Sequence, residues 1–162
     1  MKDLIRNLRV FLLHLIYNIC PSLSLPKRTV IIAPHPDDEV IGCAGLIQAL
    51  VERETPPHVI ILTGGEGSHR GCCNTSAEVI MAARHQLTLK ATATLGLPES
   101  HIHCLHYPDG GVALEHSETE RLQVLLSVLA PQSVFVPHRG EGWSDHLQAA
   151  EITKHLLKGQ DI

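Results

Sequence analysis

The stretch VIIAPHPDDEVIGCAG, Val30 to Gly45, constrains this chain more than any other. Val30, Ile31, Ile32 and Ala33 form the short, unbroken apolar run that a strand buried on both faces uses. The run passes straight into His35, Pro36, two adjacent aspartates and a glutamate, and then into the small residues Gly42, Cys43, Ala44 and Gly45. A buried strand must therefore end at a stiff, acidic turn and enter a helix that lies close to the sheet.

The same alternation continues downstream. Arg28–Ala33, His58–Thr63, Ile102–Tyr107 and Ser133–Pro137 read as strands. Helical patterns fill the intervals: Glu39–Glu54, stopped by Pro56-Pro57; Thr75–Gly96, opening with a Thr75–Glu78 capping box; and His116–Ala130, opening with Ser117–Glu120. A last helix starts near Ser144 or Asp145 and runs to about Lys158. Strand–helix alternation predicts an α/β fold, a Rossmann-like three-layer αβα sandwich with a mainly parallel sheet. With 162 residues, 44% of them hydrophobic but 3% aromatic, the chain suffices for one domain with an aliphatic core. In such sheets ligands bind at the carboxyl ends of the strands. The loops at that end hold most of the glycines and many of the histidines and aspartates.

Residues 1–26 read as an amphipathic helix and a proline-bounded linker, and 27–162 as the main domain. Between Leu4 and Ile19, Arg6, Asn7, Arg9, His14 and Asn18 gather on about half of a helical wheel. The segment is too interrupted to span a bilayer. Docking on the domain and association of residues 4–19 with a membrane surface both remain open, ranked above an uncleaved signal-like segment because no small-x-small cleavage site precedes Cys20. The net charge of −4, with no basic stripe interleaved with aromatics, argues against nucleic acid as a partner. Five cysteines without a CxxC pair suggest free, mostly buried thiols in a reducing compartment, hence a cytoplasmic protein, with membrane association open.

Twelve histidines make metal or acid–base chemistry the natural reading of the polar loops. A helix cap needs a single Asp, whereas His35, Asp37, Asp38 and Glu39 together repel unless a cation compensates. A catalytic zinc site takes three protein ligands and leaves a position for water. His35 and Asp38 supply two, and His146, after the fourth strand, is the candidate third. Asp145 beside it could orient the imidazole, Asp37 could serve as general base, and Glu39 suits the positive end of the helix dipole. His138 is a candidate for lining the site. His69 is a candidate for touching substrate, although a solvated loop suits it as well. Asp109 reads most simply as a turn residue. His101, His103 and His106 alternate along the third strand, and exposed strand-edge positions suit them better than a metal cluster.

The run PHPDDE, followed far downstream by Asp145-His146, resembles the LmbE-like or PIG-L-like family of zinc-dependent deacetylases acting on N-acetylglucosaminyl conjugates. ILTGGEGSH, LGL and YPDG fall where that family places similar stretches, and the resemblance covers about Thr29 to Ile152. It implies zinc, with another divalent metal open, held by His35, Asp38 and His146, and Asp37 as general base. It implies an N-acetylated amino-sugar conjugate as substrate; a homo-oligomer is left open. Three departures stand out. Trp143 replaces the first histidine of the family's H-x-D-H motif, leaving His138 or Arg139 to take over its work. Leu87 replaces the glutamate of an Arg-x-x-Glu pattern whose Arg84 is kept. Family members also continue beyond the last helix, so the C-terminal part of the domain is expected to be missing. An impaired metal-binding remnant is the alternative.

Overall fold

A computed structural model describes residues 26–69 and 71–159. The segment 4–19 lies outside them. Four strands, β1 (Thr29–Ala33), β2 (His58–Thr63), β3 (Ile102–Tyr107) and β4 (Ser133–Phe135), pair in the order β3-β2-β1-β4. All three pairings are parallel. β1 is buried at every position, which is why its residues are apolar throughout.

Four helices cover the sheet: α1 (Asp38–Glu52), α2 (Ala77–Thr94), α3 (Glu118–Leu129) and α4 (Ser144–Leu156). Alternate strand residues feed two cores. Val30, Ile32, Ile60, Leu62 and Leu105 meet Leu122 and Leu126 of α3 and Ala149 and Ile152 of α4. Ile31, Val59 and Ile61 meet Ile47 of α1 and Leu97 just past α2. The result is the expected three-layer α/β arrangement.

Helix ends depart from expectation in one detail. Ser76, not Thr75, occupies the extended position before α2, and neither Ser76 nor Ser117 makes a side-chain capping bond. The end of α2 follows its sequence: Gly96 takes φ +78°, its N–H reaches Ala93 O at 3.0 Å and the Leu97 N–H reaches Thr92 O at 3.1 Å.

The expected exposed histidines of β3 are also corrected. His106 is exposed, but His101 and His103 are half-buried with His58 of β2. The His58 and His101 rings stack at 4.1 Å, and His58 Nδ1 lies 3.0 Å from His103 Nε2. The cause is parallel pairing, which sets the start of β3 beside the start of β2. Cys72 and Cys73 are exposed rather than buried, and Cys43, Cys72, Cys73 and Cys104 are free thiols.

Candidate active site

The site grows from the end of β1. Thr63, the last residue of β2, grips the turn that follows β1: its N–H and its hydroxyl both donate to Pro34 O at 3.0 Å. Beyond Pro36 the backbone turns sharply, and Asp37 adopts φ 130°, a region costly for a residue with a Cβ. Two neighbours hold it there. The Asp37 N–H donates to Glu39 Oε2 at 2.9 Å, and Arg84 Nη2 from α2 donates to Pro36 O at 2.5 Å and to Asp37 Oδ2 at 3.1 Å. Glu39 is 1% exposed, and burial raises its pKa above the usual carboxylate value against the opposing pull of backbone hydrogen bonds. The Asp37 carboxylate itself stays exposed.

Across the rim, α4 brings His146 to the same place. His35 Nδ1 and His146 Nε2 each lie 3.3 Å from Asp38 Oδ2. The three groups offer ligand atoms all within 4.8 Å of one another, from one half-buried turn and one helix start. Two imidazoles and a carboxylate converging on one point suit a divalent ion of the zinc type. Near them stand the carboxylates of Asp37, Asp109, Asp145 and Glu141, an acidic surplus that a cation would offset.

Each imidazole is also braced from behind. His35 Nε2 lies 3.2 Å from Asp145 Oδ2 and 3.3 Å from Asp109 Oδ1, while His146 Nδ1 lies 2.5 Å from Glu141 Oε2. An acceptor on one ring nitrogen fixes the tautomer and leaves the other nitrogen free to ligate. Burial lowers the His35 pKa, but hydrogen bonding and charge from Asp38, Asp109 and Asp145 outweigh it and raise the net value. Burial likewise pushes Asp38 up, and its hydrogen bonds with His35 and the charge of His146 bring it below the ordinary value.

Asp145 therefore touches His35, not the neighbouring His146 that sequence adjacency suggests. It also accepts hydrogen bonds from the Gly110 N–H at 2.7 Å and the Val112 N–H at 3.2 Å, tying the loop after β3 to α4. Asp109, read from sequence as a turn residue, does more: it accepts from the Gly67 N–H at 2.7 Å, and its own N–H donates to Glu66 Oε1 at 2.8 Å. A Cβ at Gly67 would sit 2.9 Å from Asp109 Oδ2, so a side chain here would have to displace that carboxylate.

His35, Asp37, Asp38, Arg84, Trp143 and His146 share one cavity of about 570 Å³. His138 and His69 are not among its lining residues. His138 is exposed and accepts from the Gly140 N–H at 3.1 Å; the exposed His69 bonds Ser68 at 3.0 Å. Arg139 pairs with Glu151 on α4. Glu141 escaped the sequence reading, although a glutamate five residues before a candidate ligand is a signal that could have found it.

The fold and site together define a parallel α/β domain whose strand-end rim carries a His-Asp-His cluster that could hold a divalent metal. The chain belongs to the PIG-L family, GlcNAc-PI de-N-acetylase, whose family model matches residues 30–157. N,N'-diacetylchitobiose deacetylase from Pyrococcus horikoshii shares the fold with a TM-score of 0.73 and 24% identity, over 82% of this chain and 49% of that one. GalB, the 4-carboxy-2-hydroxymuconate hydratase of Pseudomonas putida, shares it with a TM-score of 0.70 and 18% identity, over 80% and 55%. A glucosamine-6-phosphate deaminase-like protein of Bacteroides thetaiotaomicron is 50% identical over 40 residues, 25% of this chain and 6% of that protein. The chain thus spans about half the length of these structural neighbours. Among the described residues no helix is long and apolar enough to cross a membrane.

Proposed function

We propose that the chain is a metal-dependent N-deacetylase that hydrolyses the acetamide of an N-acetylated amino-sugar conjugate to a free amine and acetate. The observation that carries this reading is the convergence of His35, Asp38 and His146 at the mouth of a cavity that the Asp37 carboxylate also enters. Family membership and the chitobiose deacetylase neighbour support it; the hydratase neighbour shows that the fold alone does not decide the chemistry. Zinc suits the donor set best, and other divalent ions that accept imidazole and carboxylate donors could be held by the same three residues. When bound there, such an ion supplies Lewis-acid polarisation and activation of water.

The chain's own residues do the rest. Asp37 is the general base that takes a proton from the attacking water. Among the described residues no imidazole beyond the two ligands lines the cavity, so the same carboxyl returns that proton to the departing amine nitrogen. Arg84 holds Asp37 in place through Oδ2. Asp145 and Glu141 orient the two ligand imidazoles from behind.

Trp143 favours a second reading, a domain that binds metal and ligand without turnover, because an indole cannot deliver a proton at neutral pH. One experiment separates the two: bound zinc and acetate release from N-acetylglucosamine conjugates, for wild type, Asp37→Asn and His146→Ala. The deacetylase reading requires Asp37→Asn to keep metal and lose turnover, and His146→Ala to lose metal. Stoichiometric zinc with no acetate from wild type on a broad panel establishes the second reading.

A further inference from the structure

Trp143 is the sole tryptophan of the chain. It stands immediately before α4 with extended backbone, φ −90° and ψ 130°, and its carbonyl accepts the Leu147 N–H at 3.1 Å. The backbone is clamped, yet the side chain is left out of the protein: the residue is 69% exposed. It nonetheless lines the cavity that holds His35, Asp38 and His146, together with Ile41 of α1, which is 80% exposed. Among the described residues the indole N–H has no hydrogen-bond partner. Single exposed apolar residues are ordinary on a convex surface, but two large ones lining the cavity that holds the His-Asp-His cluster present apolar area to whatever enters.

We infer that Trp143 is a stacking platform for the C–H face of a pyranose ring, so that the cavity selects cyclic N-acetylamino sugars over acyclic acetamides. The face of an indole is negative and its edge positive. One face of a pyranose presents C–H groups, while its hydroxyls project sideways, so the ring lies flat on the indole with its polar groups free. The acetamide then points toward His35 and His146, and the hydroxyls toward Asp109 and Arg84. The indole N–H remains a donor for a ring substituent. Trp143 is on this account a specificity-determining residue rather than a proton donor. The identity of the acetamide as the reacting group rests on the deacetylase reading; the stacking does not.

Because the chain has one tryptophan, its emission reports on this position alone. The test titrates the zinc-loaded Asp37→Asn chain with N-acetylglucosamine β-methyl glycoside and with N-acetylethanolamine, following tryptophan fluorescence, and repeats both titrations without zinc. The expected result is a saturable blue shift with the glycoside and none with the acyclic acetamide. In the chain that keeps Asp37, acetate kinetics should show Trp143→Ala raising KM about tenfold with kcat changed by less than about threefold, and Trp143→Phe retaining most of the binding. Acetate release from wild type with unshifted emission and an unchanged KM in Trp143→Ala overturns the inference and leaves the deacetylase reading standing. A saturable, sugar-specific shift without acetate from wild type supports the inference and defeats the deacetylase reading. Equal shifts with both ligands overturn the inference.

Discussion

Asp145→Asn tests the bracing of the site most sharply. Asp145 is 3% exposed, and its two oxygens receive three contacts: the Gly110 N–H at 2.7 Å, the Val112 N–H at 3.2 Å and His35 Nε2 at 3.2 Å. Asparagine keeps the shape but offers one acceptor oxygen, with a donor in place of the other. Whichever way the amide turns, at least one N–H faces an NH₂. An unmet buried donor costs about 1–3 kcal/mol. For a domain of this size each kcal/mol lowers Tm by roughly 3–5 °C, so the metal-free variant should melt about 3–15 °C below wild type.

The second consequence concerns the metal. With Asp145 gone, His35 keeps only Asp109, at 3.3 Å, to fix its tautomer. Loss of such an outer partner weakens metal binding by about 10–100-fold. Calorimetry of the metal-free proteins gives the first quantity, and zinc titration against a chromophoric chelator gives the second. Asp109→Asn is the control for which carboxylate matters. A folded Asp145→Asn variant with wild-type zinc affinity, beside an Asp109→Asn variant that has lost it, would refute the assignment of the bracing role to Asp145.

Two further outcomes follow from groups away from the site. His58 has its pKa lowered from 6.5 to about 4, first by burial and then by repulsion from His101 and His103. The unfolded chain therefore binds its proton first as pH falls, and stability is full above about pH 6.5 and declines toward pH 4. The ring is partly solvated and screening discounts the effect, so urea midpoints should report a loss of about 1 kcal/mol between pH 7 and 5, smaller in His58→Gln. Gly96→Ala forces a Cβ into φ +78° and to within 3.0 Å of Val51 Cγ1, and should lower stability by about 1–2 kcal/mol in the same measurement. A neutral result would mean that the end of α2 relaxes freely.

What the sequence made legible was whatever depends on local pattern. The four strands are short apolar runs because they are buried, and the motif between Ala33 and Asp38 could be placed on a strand-end turn for the same reason. Contacts made across the rim were not legible. Asp145 reaches His35 over 110 positions, and nothing in the adjacency of Asp145 and His146 reveals that the two side chains serve different imidazoles. Asp109 reads as a turn residue because Asp-Gly-Gly satisfies turn chemistry fully, while its bonds to the loop after β2 appear only when β2 and β3 lie side by side. The β3 histidines misled for a related reason: alternation gives a side chain its face of the sheet, but not the neighbour that parallel pairing sets beside it. The capping boxes failed more locally, since Thr75 and Ser76 are equally competent caps and backbone conformation chose the second.

The crowding of acids after β1 becomes intelligible once each carboxylate is assigned its own duty. Asp38 turns toward the two imidazoles. Asp37, one residue earlier, carries its carboxylate on the exposed side of the turn, on a backbone held at φ 130°. Strain of this kind costs about 1–3 kcal/mol and persists only where the surroundings over-determine it. Here Glu39 takes the Asp37 N–H from below, at the cost of a buried carboxyl with one oxygen unpartnered, and Arg84 takes the Pro36 carbonyl and the Asp37 carboxylate from α2. Glu39, in the first turn of α1, is thus also a clamp on the strained backbone at Asp37. Arg84, two helices removed in sequence, completes the clamp, and its companion position at Leu87, 63% exposed, plays no part in it. On the proposed reading, the motif divides metal binding from proton transfer while Glu39 and Arg84 hold the strained turn between the two aspartates.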